Sequence, residues 1–213
     1  QRRADVRPLP AVVMGLSGGG VVLPAVLARD PSRFVAAVEI AGGADSLRLA
    51  WKSSYREMID AVRFTWLRPK SGGAATTSRT KLVQHNDVSA KYESYTPTDA
   101  ELDSFADAYL RHATLDGARA GVLLKAIPSL FVVASDDSAV PSAMSDQLWN
   151  LAGKPERWVV GGGHEILFMT LNWHTTKLID WIDKTVKASS TSTSTSTSAG
   201  KSAGPATAGV QGK

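Results

Sequence analysis

The run Val12-Val13-Met14-Gly15-Leu16-Ser17-Gly18-Gly19-Gly20 constrains this chain more than any other stretch. A short apolar segment, Ala11 to Met14, leads into a serine flanked by glycines at G-x-S-x-G spacing, and Val21 to Ala28 then has apolar spacing that suits a helix. Strand, tight turn and helix in that order force the central serine into a strained backbone conformation. Glycines two residues to either side remove β-carbons that would collide there. The Ser17 hydroxyl is thereby presented at a strand end instead of being packed, as a nucleophile requires.

Arg29-Asp30-Pro31-Ser32 ends the helix, and the apolar, β-branched segment Phe34 to Ile40 reads as a second strand closed by Gly42-Gly43. The result is a βαβ unit, with parallel strands and a right-handed crossover. Such a sheet is expected to be buried on both faces, with reactive groups at its carboxyl edge. Residues 46–126 carry no strand signal and read as helices. Trp51, Tyr55, Met58, Ile59, Val62 and Trp66 recur at three- and four-residue steps. Thr98-Asp99-Ala100-Glu101 is a capping box ahead of Leu102, Phe105 and Tyr109, and a further helix is expected from about Ala118 to Lys125. Pro69 to Ser78 reads as a loop between the first two. Alternation resumes with a strand from Ser129 to Ala134, a helix from about Ser142 to Ala152 closed by Gly153, and a strand from Arg157 to Val160. A long amphipathic helix, about Ile166 to Val186, closes the fold. From Ala188 onward the Ser/Thr repeat and the Gly/Ala/Lys-rich end offer almost nothing to bury, so disorder is expected there.

Composition narrows the class. With 213 residues, 43% hydrophobic and 21% charged, the chain suits one soluble globular domain. The absence of cysteine excludes disulfides, thiolate metal sites and cysteine nucleophiles, and leaves the compartment open. A net charge of +4 is spread over scattered residues such as Arg7, Lys52 and Lys81, so no nucleic-acid partner is expected. No apolar run approaches the roughly 18 residues of a membrane span. His85, His112 and His174 lack metal-ligand spacing to one another, and no metal or cofactor is expected.

A serine nucleophile needs a base to take its proton, and the base needs an acid to orient its ring and stabilise the imidazolium. Asp136 and Asp137 follow the strand Ser129 to Ala134, and His164 follows the strand Arg157 to Val160 through Gly161-Gly162-Gly163. In a parallel sheet these groups emerge on the edge that carries Ser17. Either aspartate suits the acid role by position alone.

Four segments in this order resemble the C-terminal part of an α/β-hydrolase fold protein, over roughly residues 8–187. Gly15-Leu16-Ser17-Gly18-Gly19 resembles the family's elbow, and Pro31-Ser32-Arg33-Phe34-Val35 the approach to its sixth strand. Ala134-Ser135-Asp136-Asp137-Ser138-Ala139-Val140-Pro141 resembles its acid loop, and Gly163-His164 its base motif. The resemblance implies an α/β fold with a parallel sheet of about four strands flanked by helices. Hydrolase core would occupy 1–45 and 127–187, a helical cap 46–126, and a disordered tail 188–213. It makes Ser17 the nucleophile, Asp137 the acid, His164 the base and the Gly18 N–H an oxyanion donor. Trp51, Tyr55 and Trp66 are the residues expected to line an apolar substrate pocket.

The cap is similar to those of epoxide hydrolases and haloalkane dehalogenases, yet the elbow carries Ser17 where they carry an aspartate. Leu124 stands where epoxide hydrolases have a cap tyrosine. A serine implies a small apolar acyl substrate: ester, thioester or lactone cleavage, carbon–carbon bond hydrolysis or perhydrolysis. The family's first four strands and its oxyanion loop precede the elbow, so the chain reads as a fragment. A partner chain or missing segment is expected to cover the sheet edge beside the elbow strand. The alternative is a non-catalytic hydrolase-fold protein that binds a ligand or serves as a scaffold.

Overall fold

A computed structural model describes residues 11–56, 66–70 and 91–197. In chain order the elements are β1 (Ala11–Leu16), α1 (Gly18–Arg29), β2 (Phe34–Ile40), α2 (Ser46–Lys52), β3 (Leu67–Pro69) and β4 (Tyr92–Ser94). They continue with α3 (Asp99–Leu110), α4 (Gly117–Ala120), β5 (Ser129–Ala134), α5 (Ser142–Leu151), β6 (Glu156–Val160), α6 (His164–Thr170) and α7 (Thr175–Thr197). Strands β1, β2, β5 and β6 form one parallel sheet in the order β1-β2-β5-β6.

Side-chain alternation along β2 and β5 divides the core into two layers. Ala37 and Phe131 face one side with Leu23 and Leu27 of α1, Leu124 and Leu148. Val38, Ile40, Leu130 and Val132 face the other, against Leu167 of α6 and Leu178 of α7. Both central strands are therefore buried on both faces; β5 is apolar throughout after Ser129, and β2 is apolar except for Glu39. Each such Leu, Val or Phe side chain stabilises the fold by about 1.5–3 kcal/mol on burial.

Between β2 and β5 the structure departs from the all-helical expectation. Leu67–Pro69 and Tyr92–Ser94 pair as a short antiparallel ribbon, with the Arg68 and Glu93 side chains joined by a 2.7 Å ion pair. Three residues per strand are too few for a period-two pattern to be visible in the sequence. The helical stripe expected from Trp51 to Trp66 is described only at its ends: α2 stops at Lys52, Tyr55 sits in a turn, and Met58, Ile59 and Val62 lie outside the described residues. The capping box forms, with Thr98 and Glu101 bonding reciprocally at the start of α3. The third expected helix is one α-turn, Gly117–Ala120, continued as a 3-10 turn through Ala126.

The closing helix is split by a 3-10 turn at Leu171–His174 and extends to Thr197, past the expected boundary at Ala188. Ser189 and Ser190 donate their hydroxyls to carbonyls four residues earlier, so these polar side chains are satisfied within the helix. Residues 198–213 of the expected disordered tail lie outside the described residues.

Candidate functional site

The turn after β1 holds Ser17 at φ 51° and ψ −118°, a positive-φ conformation that is costly for a residue with a β-carbon. Several contacts enforce it. The Ser17 N–H donates to the Ile40 carbonyl at 2.8 Å, tying the turn to the end of β2. The Gly20 and Val21 N–H groups donate back to the Ser17 carbonyl at 2.8 and 3.1 Å, which opens α1. A β-carbon on Gly15 would stand 2.6 Å from the Gly19 carbonyl oxygen, so the turn closes only over glycine. A β-carbon on Gly19 meets nothing within 4 Å. The sequence expectation that glycines on both sides relieve collisions therefore holds for Gly15 and not for Gly19. Gly20 is the second sterically required glycine.

Ser17 Oγ lies 2.9 Å from His164 Nε2, and His164 Nδ1 lies 2.7 Å from Asp137 Oδ2. Three strand ends supply these groups: Ser17 follows β1, Asp137 follows β5, and His164 follows β6 as the first residue of α6. His164 is 4% exposed, which shields its bond to Asp137 from water. The second Asp137 oxygen accepts from the Val140 N–H at 2.7 Å, which fixes the carboxylate plane. Asp136 is turned away, its carboxylate accepting from the Ser135 hydroxyl at 2.7 Å, so geometry separates the two aspartates that position alone left open. Gly18 opens α1 directly after Ser17, with clear space on its α-carbon.

The three aromatic candidates fall in different places. Tyr55 stands edge-on to the His164 ring at 5.7 Å between centroids, and Phe168 packs on it at 5.0 Å. Trp66 meets Phe105 of α3 edge-on at 5.1 Å. The Trp51 indole N–H is buried with no hydrogen-bond partner among the described residues.

Glu165 was not singled out in the sequence, although it adjoins His164. Its carboxylate accepts a short hydrogen bond from the Tyr55 hydroxyl. That bond raises the Tyr55 phenol above its ordinary pKa and lowers the Glu165 carboxyl below its own. The Ser54 N–H donates to the Ser138 carbonyl at 2.9 Å beside Asp137. The turn after α2 is thus fastened to both the acid loop and the base helix.

Clefts of about 380 Å³ and about 700 Å³ lie away from these groups. The first borders α1 and residues 109–116; the second lies at the amino ends of β5 and β6, around Pro128 and Pro155. Among the described residues no group of three or more His, Asp or Glu side chains is placed to hold a metal ion, and no helix is long and apolar enough to cross a membrane.

The parallel strand order, the strained Ser17 turn and the placing of Asp137 and His164 after β5 and β6 fit part of an α/β-hydrolase fold, of which the chain carries four parallel strands with their helices. No family model and no curated protein matches the sequence. The structure is similar to solved ones: alpha/beta hydrolase domain-containing protein 10 from mouse is 19% identical with a TM-score of 0.44, over 85% of this chain and 65% of that one. A thermophilic esterase is 18% identical with a TM-score of 0.43, over 83% and 67%. The chain covers 21% of an acylaminoacyl peptidase from Pyrococcus horikoshii, at 13% identity and a TM-score of 0.44 over 77% of its own length. It therefore spans about two thirds of the smaller proteins and about a fifth of the peptidase.

Proposed function

We propose that this chain carries the catalytic centre of a serine hydrolase acting on a small, apolar acyl compound, an ester or thioester, through a covalent acyl-enzyme. Ser17 Oγ attacks the carbonyl carbon while His164 Nε2 takes its proton. Asp137 holds the ring so that Nδ1 carries the hydrogen and Nε2 is free to accept. The Gly18 N–H donates to the oxyanion, the leaving group departs with the proton from His164, and water, deprotonated by His164, releases the acid and restores Ser17. The single observation behind this reading is the unbroken hydrogen-bonded series Ser17–His164–Asp137, whose serine sits in a strained turn. Tyr55 stands where an acyl or leaving group approaching His164 would meet it.

The test is pre-steady-state hydrolysis of p-nitrophenyl esters of graded acyl length. A nitrophenolate burst stoichiometric with protein, lost in Ser17→Ala, is the expected result; steady turnover without a burst, unchanged in Ser17→Ala, would remove Ser17 from the mechanism.

A second reading, a non-catalytic hydrolase-fold binding protein, is favoured by one observation. Strand β1 is an edge of the described sheet, and its Met14 and Leu16 side chains are 42% and 40% exposed. A partner chain pairing along that edge is what a binding role would supply.

A further inference from the structure

Glu39 is the least expected side chain in the core. It lies in β2, in register with Gly15 on one side and Phe131 on the other, and is 1% exposed. Neither carboxyl oxygen has a hydrogen-bond partner of good geometry among the described residues. A buried, unpaired carboxylate is among the most costly groups a core can hold, so a position like this one calls for an explanation.

The surroundings supply it. A β-carbon on either Gly20 or Gly42 would overlap the Glu39 carboxyl, so both positions are glycine to admit it. The carboxyl is wedged between the first turn of α1 and the chain leaving β2. The next residue along, Ile40, holds the Ser17 N–H through its carbonyl. Beyond it Ala41 adopts φ 51°, a second strained residue in the same bend, whose N–H is held by the Val132 carbonyl at 2.8 Å. One rigid unit therefore runs from the Glu39 carboxyl through Gly20, Gly42 and Ile40 to Ser17.

We propose that Glu39 is a positioning residue for Ser17: a neutral carboxyl wedge that sets the serine turn, and whose ionisation displaces Gly20 and Gly42 and slackens that turn. Burial pushes the Glu39 carboxyl up to about 8, with the backbone at Gly42 pulling weakly the other way. Among the described residues, the strands and helix beside it bring no charge to offset this. β1 contributes Gly15, α1 contributes Gly20, and β5 contributes Phe131. The bend contributes Gly42, and the Asp45 carboxylate further along it is paired with Arg48. Because the folded-state value lies above the ordinary one near 4.5, the folded chain holds this proton more tightly than the unfolded chain. The contribution to stability is then complete below about pH 4.5 and is lost as pH rises through about 8.

The inference rests on the serine-hydrolase reading for its functional meaning but not for its detection. Carbon-13 α-carbon resonances of the full chain, followed from pH 6 to 9.5, should show Gly15, Ser17, Gly20 and Gly42 moving together with a midpoint near pH 8, and should not do so in Glu39→Gln. The rate of fluorophosphonate labelling should fall by up to about 10²-fold on the alkaline side in the native chain, the size of effect a nucleophile misplaced by about 1 Å gives, and hold in Glu39→Gln. The native titration needs no variant, so it decides the matter even if Glu39→Gln fails to fold. Resonances that stay fixed across this range, with Ser17 still labelled, overturn the proposal and leave the hydrolase reading intact. The concerted titration without labelling at any pH supports the wedge and removes the hydrolase reading.

Discussion

In the proposed mechanism Asp137 is the group that orients His164. One oxygen is held by the Val140 N–H and the other faces His164 Nδ1, so the imidazole has a single favourable tautomer and ring angle. Asp137→Asn keeps the shape but presents a donor to Nδ1, which favours the wrong tautomer. It is expected to lower kcat for a reactive ester by about 10³–10⁴ with little change in KM. Asp136→Asn, on the neighbour whose carboxylate bonds Ser135, should leave kcat within a few-fold. Equal losses in the two variants would mean that the acid has been misassigned. That Ser17, Asp137 and His164 meet was legible in the sequence because each is announced by covalent neighbours: glycines around the serine, Val140-Pro141 after the aspartate, three glycines before the histidine. Glu39 and Glu165 were not. Their surroundings come from residues far away in sequence, Gly20 for one and Tyr55 for the other, and exist only once the sheet has brought those segments together.

Among the elements, the segment between β2 and β5 depends on one buried carboxylate. Asp116 accepts from the Asp45, Ser46 and Ala118 N–H groups at 3.0, 2.9 and 2.8 Å, capping α4 while anchoring the start of α2. Arg48 of α2 then reaches Asp103 and Asp107 of α3, each at 2.8 Å. Asp116→Ala strands three donors at once and is expected to cost about 2–4 kcal/mol in urea unfolding with an unchanged m-value. A loss under about 0.5 kcal/mol would mean that water replaces the carboxylate freely. Helix and strand boundaries were legible where the signal was local, as at the Thr98 capping box and the apolar run of β2. They were not legible where pairing partners decided the outcome. The β3–β4 ribbon joins segments separated by more than twenty residues, and the extension of α7 follows from propagation of a helix already nucleated on the sheet.

For the molecule as a whole, the described sheet encloses its central strands β2 and β5 and leaves β1 and β6 at its edges; β1, which carries Ser17 at its end, has no charge and no proline between Ala11 and Leu16 to discourage pairing. The chain alone is expected to self-associate through this strand at micromolar concentration. Met14→Lys should reduce that association, with sedimentation velocity as the check. Association that is insensitive to a charge at Met14 would place the contact elsewhere. The assignment of Ser17 as nucleophile is tested by fluorophosphonate labelling of the folded chain, with peptide mass spectrometry to locate the adduct. The prediction is a single phosphonylated residue, Ser17, absent in Ser17→Ala and strongly slowed in Asp137→Asn. A folded chain that stays unlabelled, or is labelled at another serine, would contradict it.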